Sequence, residues 1–402
     1  METNILLNKV PTKKLSEIAD ILNGYAFKSK NYVESGIRVI RIANVQDGYI
    51  VDDAPCYYPV DTDEDIEKYN LFAGDLLISL TGNVGRIGIL PADMLPAALN
   101  QRVCCLRIDE TVVDRKYLFY YLRRHQFMRD CVKASKGVAQ LNLSTKWLAD
   151  YEIPLPTLKE QKRIVSRIEE LFSELDNGVE TLQKTKQQLA VYRQAVLKDA
   201  FSHITEKKPI REMSSIVTSG SRGWAQYYND HGAKFVRIGN LTRDRICIDL
   251  SDVQFVDLPD GAEGKRTQLQ SNDVLVSITA DLGSIGLVPD DIGEAYVNQH
   301  IAMIRFLNPV QGEFMAWYLR SDYGQKDLLK NKRGGGKLGL GLDDIRDSRV
   351  PVVSDAEATS IVENIEARLS VCDSIEKTVD TALQQAEAMR QSILKQAFEG
   401  RL

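Results

Sequence analysis

Histidine and cysteine are scarce in this chain of 402 residues, at four and six. The cysteines (Cys56, Cys104, Cys105, Cys131, Cys247 and Cys372) form no Cys-x-x-Cys pair, and His125, His203, His231 and His300 are scattered. Neither a zinc-ligand spacing nor a Cys-His or Ser-His-Asp set emerges, so six reduced thiols in packing roles and no metal site are expected. No apolar run approaches the ~18 residues that a membrane helix needs. The run Met1–Lys9 has neither the basic start nor the apolar stretch of a secretory signal, so a cytoplasmic location is expected. Neither sign of charge dominates. With 51 basic and 56 acidic residues the net charge is −5, which excludes a chain coated in positive charge but not a local basic face.

Catalytic motifs are equally sparse. There is no Pro-Pro dipeptide, and the sole Asn-Pro, Asn308-Pro309, is followed by Val310, so the Asn-Pro-Pro-aromatic tetrapeptide of adenine methyltransferases is missing. Gly336-Lys337 precedes Leu338, and Asn331 stands where a Walker A loop requires glycine. Gly334–Gly339 fits Gly-x-Gly-x-x-Gly but follows a lysine-rich segment rather than an apolar strand. Pro259-Asp260 before Glu263-Gly264-Lys265 hints at a nuclease motif, but the carboxylates crowd a glycine-rich turn that reads as a plain loop. The chain is expected to be non-catalytic.

What is present is an internal repeat of about 200 residues, far longer than a solenoid unit. Val39-Ile40-Arg41-Ile42-Ala43-Asn44-Val45 returns 196 residues later as Phe235-Val236-Arg237-Ile238-Gly239-Asn240-Leu241. Asp75–Thr81 returns at 198 as Asp273–Thr279, and the same offset carries Asn100-Gln101 onto Asn298-Gln299. Tyr121-Leu122-Arg123 and Arg193–Phe201 recur at 197 as Tyr318-Leu319-Arg320 and Arg390–Phe398. Each unit opens with short apolar runs punctuated by Gly, Asn, Asp and Pro. Strands are expected at 38–45, 75–80, 102–108, 235–241, 273–279 and 300–306, with helices over Lys116–Val132 and Glu313–Leu329, an α+β pattern.

Each unit closes with a long helical stretch that lacks proline, from Leu158 to Phe201 and from Asp355 to Phe398. Apolar steps of three and four (Ile164, Ile168, Leu171, Leu175, Leu182, Leu189, Tyr192, Val196; then Ile361, Ile365, Cys372, Ile375, Val379, Ala382, Ala386, Met389, Ile393) indicate a coiled coil. Thr157 with Glu160, and Ser354 with Glu357, have capping-box spacing. About 45 residues at ~1.5 Å each make a rod of roughly 65–70 Å. One apolar seam needs a partner, and the other copy, packed antiparallel, is the expected one.

Candidate contacts cluster in the globular parts, where Arg, Lys, Asn, Gln, Thr and Ser types suit base edges and phosphates. In the first unit they are Lys28, Arg41, Asn44, Thr81, Asn83, Arg86, Gln101, Arg102, Lys136, Gln140 and Asn142. In the second they are Arg222, Gln226, Arg237, Asn240, Arg243, Thr279, Ser284, Gln299, His300, Lys332, Arg333 and Lys337. Gly82, Gly85 and Gly88 would admit a phosphate to the backbone, or simply form a hairpin turn. Phe27 and Trp224 read as core. Scaffold stretches match between the units while tips differ, as with Arg102 against His300 and Arg86 against Ser284. Two matched scaffolds with different tips would read two different short sequences.

The whole arrangement resembles the specificity subunits of type I restriction–modification enzymes. Pro154–Val165 is similar to that family's junction into its first conserved helix, Ile393–Gly400 to its C-terminal signature, and Ser135-x-Gly137-x-x-Gln140 to the loop ending a recognition domain. The second copy departs, with Lys337 in place of Gln140 and Asp355-Ala356-Glu357-Ala358 in place of Glu-Gln-Lys-Arg. The resemblance implies target recognition domains at 1–157 and 204–353, conserved helices at 158–203 and 354–402, and an antiparallel coiled coil joining the two pseudo-repeat domains. It implies double-stranded DNA, two modification (M) subunits and two restriction (R) subunits as partners. It implies no cofactor on this chain, with S-adenosylmethionine on the M subunits and ATP and magnesium on the R subunits. A subunit of a related methylation-based phage-defence system and a coiled-coil scaffold with no DNA role are the alternatives.

Overall fold

A computed structural model describes residues 10–137, 140–220, 222–243, 245–258, 267–331 and 339–402. The alternating apolar runs form two four-stranded sheets in each repeat, the first of them in the same strand order. In the first, Ala19–Asn23, Val103–Ile108, Leu76–Ser79 and Ile87–Ile89 lie side by side in that order, all antiparallel. Ser214–Ser219, Ile301–Phe306, Val274–Ser277 and Ile285–Leu287 repeat that order in the second. Each repeat has a second sheet with one parallel pair, Ile37–Ile40 with Ala97–Leu99 and Ala233–Val236 with Ala295–Val297. Because Leu76, Leu77 and Ile78, like Val274, Leu275 and Val276, are buried on both faces, these central strands read as unbroken apolar runs.

Two expectations are corrected. The strands at 38–45 and 235–241 stop at Ile40 and Val236 and turn into single 3-10 turns, Ile42–Asn44 and Ile238–Asn240. The cause is an asparagine folded back on its own loop. Asn44 Oδ1 accepts from the Arg41 amide at 2.9 Å while its Nδ2 donates to Val51 O at 2.8 Å. Asn240 does the same with Arg237 and Asp249, at 2.8 Å each. The helices expected at 116–132 and 313–329 are each broken in two, as Arg115–Leu122 with His125–Ala134 and Gly312–Arg320 with Asp322–Leu328. Arg124 Nε caps the first break by donating to Tyr121 O at 2.9 Å, and Ser321 caps the second through the Gly324 amide.

One bidentate ion pair recurs as a scaffold bolt. Arg107 Nη2 reaches Asp75 Oδ2 at 2.8 Å and Arg305 Nη2 reaches Asp273 Oδ2 at 2.6 Å, and each guanidinium also donates to a backbone carbonyl, Asn70 O or Gln268 O. Both carboxylates are buried and also accept a backbone N–H, from Phe72 and Gln270.

The long helices run Leu158–Phe201 and Asp355–Phe398, 44 residues each. Thr157 and Ser354 supply the hydroxyl half of the capping box, accepting from the amides of Glu160 at 3.4 Å and Glu357 at 3.3 Å. The chain divides into two compact units, Met1–Leu182 with Thr381–Leu402, and Gln183–Asp380, so each unit holds part of both helices. Within the second unit, Lys186 pairs with Asp380 (2.7 Å), Arg193 with Asp373 (2.6 Å) and Asp199 with Arg368 (2.9 Å). One partner number rises as the other falls, so the helices are antiparallel. In the first unit Arg390 pairs with Asp176 and lies over the Phe172 ring, 5.1 Å from its centroid. The buried seam follows seven-residue steps: Ile168, then Leu189 and Val196 on one helix, and Ile365, Cys372, Val379, Ala386 and Ile393 on the other. Tyr192, Ile375 and Met389 fall off that period and are exposed at 43%, 40% and 53%.

The core of each unit runs from its sheet into the helices. Ile164, Ile168, Phe172, Leu394 and Phe398 join the first core, and Val196, Phe201, Val362, Ile365 and Leu369 the second. Phe398 meets Tyr117 and Tyr121 edge-on at 5.3 and 5.1 Å, and its counterpart Phe201 meets Phe314 and Tyr318 at 5.6 and 5.4 Å. Short strand pairs, Thr12–Lys14 with Glu152–Pro154 and Lys207–Pro209 with Arg349–Pro351, close each globular part where its long helix begins.

Candidate nucleic-acid interface

The folded-back asparagines position an open concavity in each repeat. In the first, Arg41, Ile42, Ala43, Asn100, Gln101 and Arg102 line about 270 Å³. In the second, Arg237, Ile238, Gly239, Asn240, Asp249, Asp252, Asn298 and His300 line about 340 Å³. The two are equivalent positions of the repeat. Close backbone contact holds each floor: a Cβ on Gly24 would sit 2.3 Å from the Asn100 carbonyl carbon, and one on Gly220 1.8 Å from Val297 O. Only glycine permits either approach.

The Thr81–Arg86 turn adjoins the first concavity. Leu80 N donates to Arg102 O at 3.0 Å on one side, and on the other Gly82 N donates to Leu141 O at 2.8 Å, with Thr81 bridged to Asn142. Lys136 and Asn142 close their own loop by a reciprocal backbone pair, and both side chains are exposed, as are Asn83 and Gln140. Thus Arg41, Asn44, Thr81, Asn83, Arg86, Gln101, Arg102, Lys136, Gln140 and Asn142 are gathered on neighbouring loops. Lys28 stands apart over an aromatic satellite cluster, 3.4 Å from Glu64. Hydrogen bonds from the Tyr25 and Tyr58 hydroxyls hold that carboxyl below its ordinary pKa.

In the second repeat Thr279 bridges to Gly339, and Thr279, Gln299 and His300 form one cluster. Arg243 pairs with Asp281, whose carboxylate is held below its ordinary pKa chiefly by that guanidinium. Arg222 and Gln226 are exposed beside the buried Trp224, which stacks on Phe235 at 5.3 Å. Phe27 is buried as well. Lys332, Arg333 and Lys337, with the Gly334–Gly339 motif up to residue 338 and the Pro259–Lys265 segment, lie outside the described residues.

The side chains gathered here are not equally available. Asn44 and Asn240 are each 4% exposed and bonded to backbone at both ends of the amide. Ser284 is 2% exposed and bonded to Asp281. Arg41 donates to Ala54 O at 2.7 Å, and Arg86 to Gln46 Oε1 at 3.0 Å. Of the three glycines, only Gly82 keeps an open face. A Cβ on Gly85 would meet Cys131 Sγ at 2.9 Å and one on Gly88 Ile50 Cδ1 at 2.6 Å, so those two serve helix and loop packing. Gly82 has φ +68, and its counterpart is Ala280 at φ +57, a left-handed residue with no glycine freedom. Sequence reasoning missed Asp249 and Asp252, which line the second concavity and whose backbone carbonyls accept from Asn240 Nδ2 at 2.8 and 3.2 Å. No local motif marks them, because they reach the site through the Asn240 loop.

Among the described residues no group of three or more His, Cys, Asp or Glu is placed to hold a metal, and no helix is long and apolar enough to cross a membrane.

The EcoBI specificity subunit of Escherichia coli is 28% identical over 422 residues, covering 96% of this chain and 85% of that protein. The EcoKI specificity subunit of the same species is 24% identical, covering 96% and 88%. A chain from a structure described as the basis of complex assembly and conformational transition of the type I R-M system superposes with a TM-score of 0.74 at 18% identity, over 98% of this chain and all of that one. The family described as "Type I restriction modification DNA specificity domain" matches residues 8–189 and again 218–385. With two copies of that domain spanning most of its length, the chain belongs to the type I restriction–modification specificity subunit family.

Proposed function

We propose that this chain reads an asymmetric, bipartite duplex DNA site, one half per recognition domain, on behalf of a type I restriction–modification complex. The observation that carries the reading is the duplicated concavity: one scaffold, built twice, with different side chains at its mouth. Each domain places base-edge donors and acceptors on loops braced by a rigid sheet, which is what direct readout requires. The chain itself is the non-catalytic partner, held in the cytoplasm with the rest of the complex. Two M subunits carry S-adenosylmethionine and methylate adenine at N6, and two R subunits use ATP and magnesium to translocate and cleave. Exposed apolar side chains on the long helices, such as Val191 at 70% and Val371 at 59%, support docking of M subunits there. The helices set the unread gap; reading two sites from one face of the duplex favours centres about 34–36 Å apart. The target adenine leaves the stack at a cost of a few kcal/mol, and recognition domains holding the flanking duplex assist that step.

The test is single-molecule methylome sequencing of a host expressing this chain with its M subunit, beside a deletion of this chain. Loss of N6-methyladenine at one split, asymmetric motif is expected on deletion. Unchanged methylation with an active M subunit rejects the reading.

A further inference from the structure

The two concavities share a framework and differ at one well-placed position. Thr81, Asn100 and Gln101 have Thr279, Asn298 and Gln299 as their equals, whereas Arg102 has His300. The backbone is the same at both: Asn100 Oδ1 accepts from the Arg102 amide and Asn298 Oδ1 from the His300 amide, each at 3.2 Å. The side chains behave differently. The Arg102 side chain is exposed on the rim and, among the described residues, has no ion pair or side-chain hydrogen bond, whereas most arginines nearby are engaged: Arg41 with Ala54, Arg86 with Gln46 and Arg107 with Asp75. His300 is half-buried and held at both ring nitrogens, with Thr279 Oγ1 2.8 Å from Nδ1 and Gln299 Nε2 2.9 Å from Nε2. An imidazole so occupied offers no free donor to a base, and its effect is to fix the Gln299 amide.

We propose that residue 102 is a specificity-determining position. Arg102 contacts the O6/N7 edge of a guanine in the half-site read by the first domain, and the second domain, with His300 there, has no equivalent guanine contact. This rests on the half-site reading above. A guanidinium at the mouth of a concavity, on a turn fixed by its own backbone and with no internal partner among the described residues, is suited to the bidentate pairing with guanine O6 and N7 that is the commonest specific arginine contact.

The experiment uses the full chain with its M subunit and compares wild type, Arg102→Ala and Arg102→Lys by methylome sequencing, with thermal unfolding of each chain as the folding control. Wild type is expected to give a split motif with a required guanine in one half. Arg102→Ala is expected to relax that one position, losing discrimination by roughly 5- to 150-fold while the other half and the gap are unchanged. Arg102→Lys keeps the guanine, since lysine retains a donor to the same edge. Any of three results overturns the inference: an unchanged motif in Arg102→Ala, a uniform fall in methylation at every site with the motif intact (a phosphate contact), or loss of all methylation by a normally folded variant. Absence of a split motif in wild type would instead defeat the half-site reading itself.

Discussion

Removing the carboxylate of Asp273 is expected to be the most damaging single change in the second recognition domain outside its apolar core. Asp273 is 1% exposed and accepts three hydrogen bonds, from Arg305 Nε (2.8 Å), Arg305 Nη2 (2.6 Å) and the Gln270 amide (2.8 Å). Arg305 is itself only 20% exposed. Asp273→Ala therefore strands a mostly buried guanidinium and a backbone N–H. Breaking one partner from a buried pair costs about 3–5 kcal/mol. The Gln268 carbonyl, which Arg305 still reaches at 3.0 Å, keeps the loss toward the lower end of that range. Replacing both partners removes the stranded charge, so Asp273→Ala with Arg305→Met should recover about half of it. Urea unfolding followed by tryptophan fluorescence reports this well, because two of the three tryptophans, Trp224 and Trp317, lie in the affected unit. A cost below ~1 kcal/mol for Asp273→Ala, or a double variant as unstable as the sum of the singles, would refute the reasoning.

Phe398→Ala deletes a buried ring that meets two tyrosines and should cost about 3–5 kcal/mol, read as a lowered urea midpoint; a shift under ~1 kcal/mol would show that the helix end does not anchor the first core. Glu313, pushed up to about 7 by burial and by its neighbour Glu366, keeps its proton in the folded state over a range where the unfolded chain has lost it. Stability of the second unit should therefore fall as pH rises from about 4.5 to 7 and then level off, and Glu313→Gln should flatten that slope in Tm measured against pH. A thiol reagent should label Cys247 first, since it is exposed, and reach Cys104 and Cys131, both pushed up to about 12 by burial, only on unfolding; early labelling of Cys104 would contradict the packing. The isolated chain, acidic overall, should bind duplex DNA weakly and salt-sensitively in titrations, and nanomolar sequence-specific binding at physiological salt would contradict the need for the assembled complex.

The sequence by itself determined the duplication, the two central strands of the main sheet in each repeat and both ends of each long helix. Those features rest on local physics: unbroken apolar runs such as Leu76–Ile78, the hydroxyls of Thr157 and Ser354, and seven-residue steps such as Cys372, Val379 and Ala386. Tertiary structure decided the rest. Arg, Asn, Gln and Ser have one appearance in a sequence whether they face solvent or brace a loop, and only the fold separates exposed Arg102 from Asn44, Asn240 and Ser284, which are consumed within it. The same holds for Gly85 and Gly88, which in sequence suit a phosphate loop or a hairpin turn alike and in the fold make room for Cys131 and Ile50. The bidentate pairs Asp75–Arg107 and Asp273–Arg305 join residues 32 apart in sequence, and no local pattern announces them. Periodicity reports how a segment can bury itself against something; what it meets, and which polar groups are left over for a ligand, depends on contacts between segments far apart in the chain.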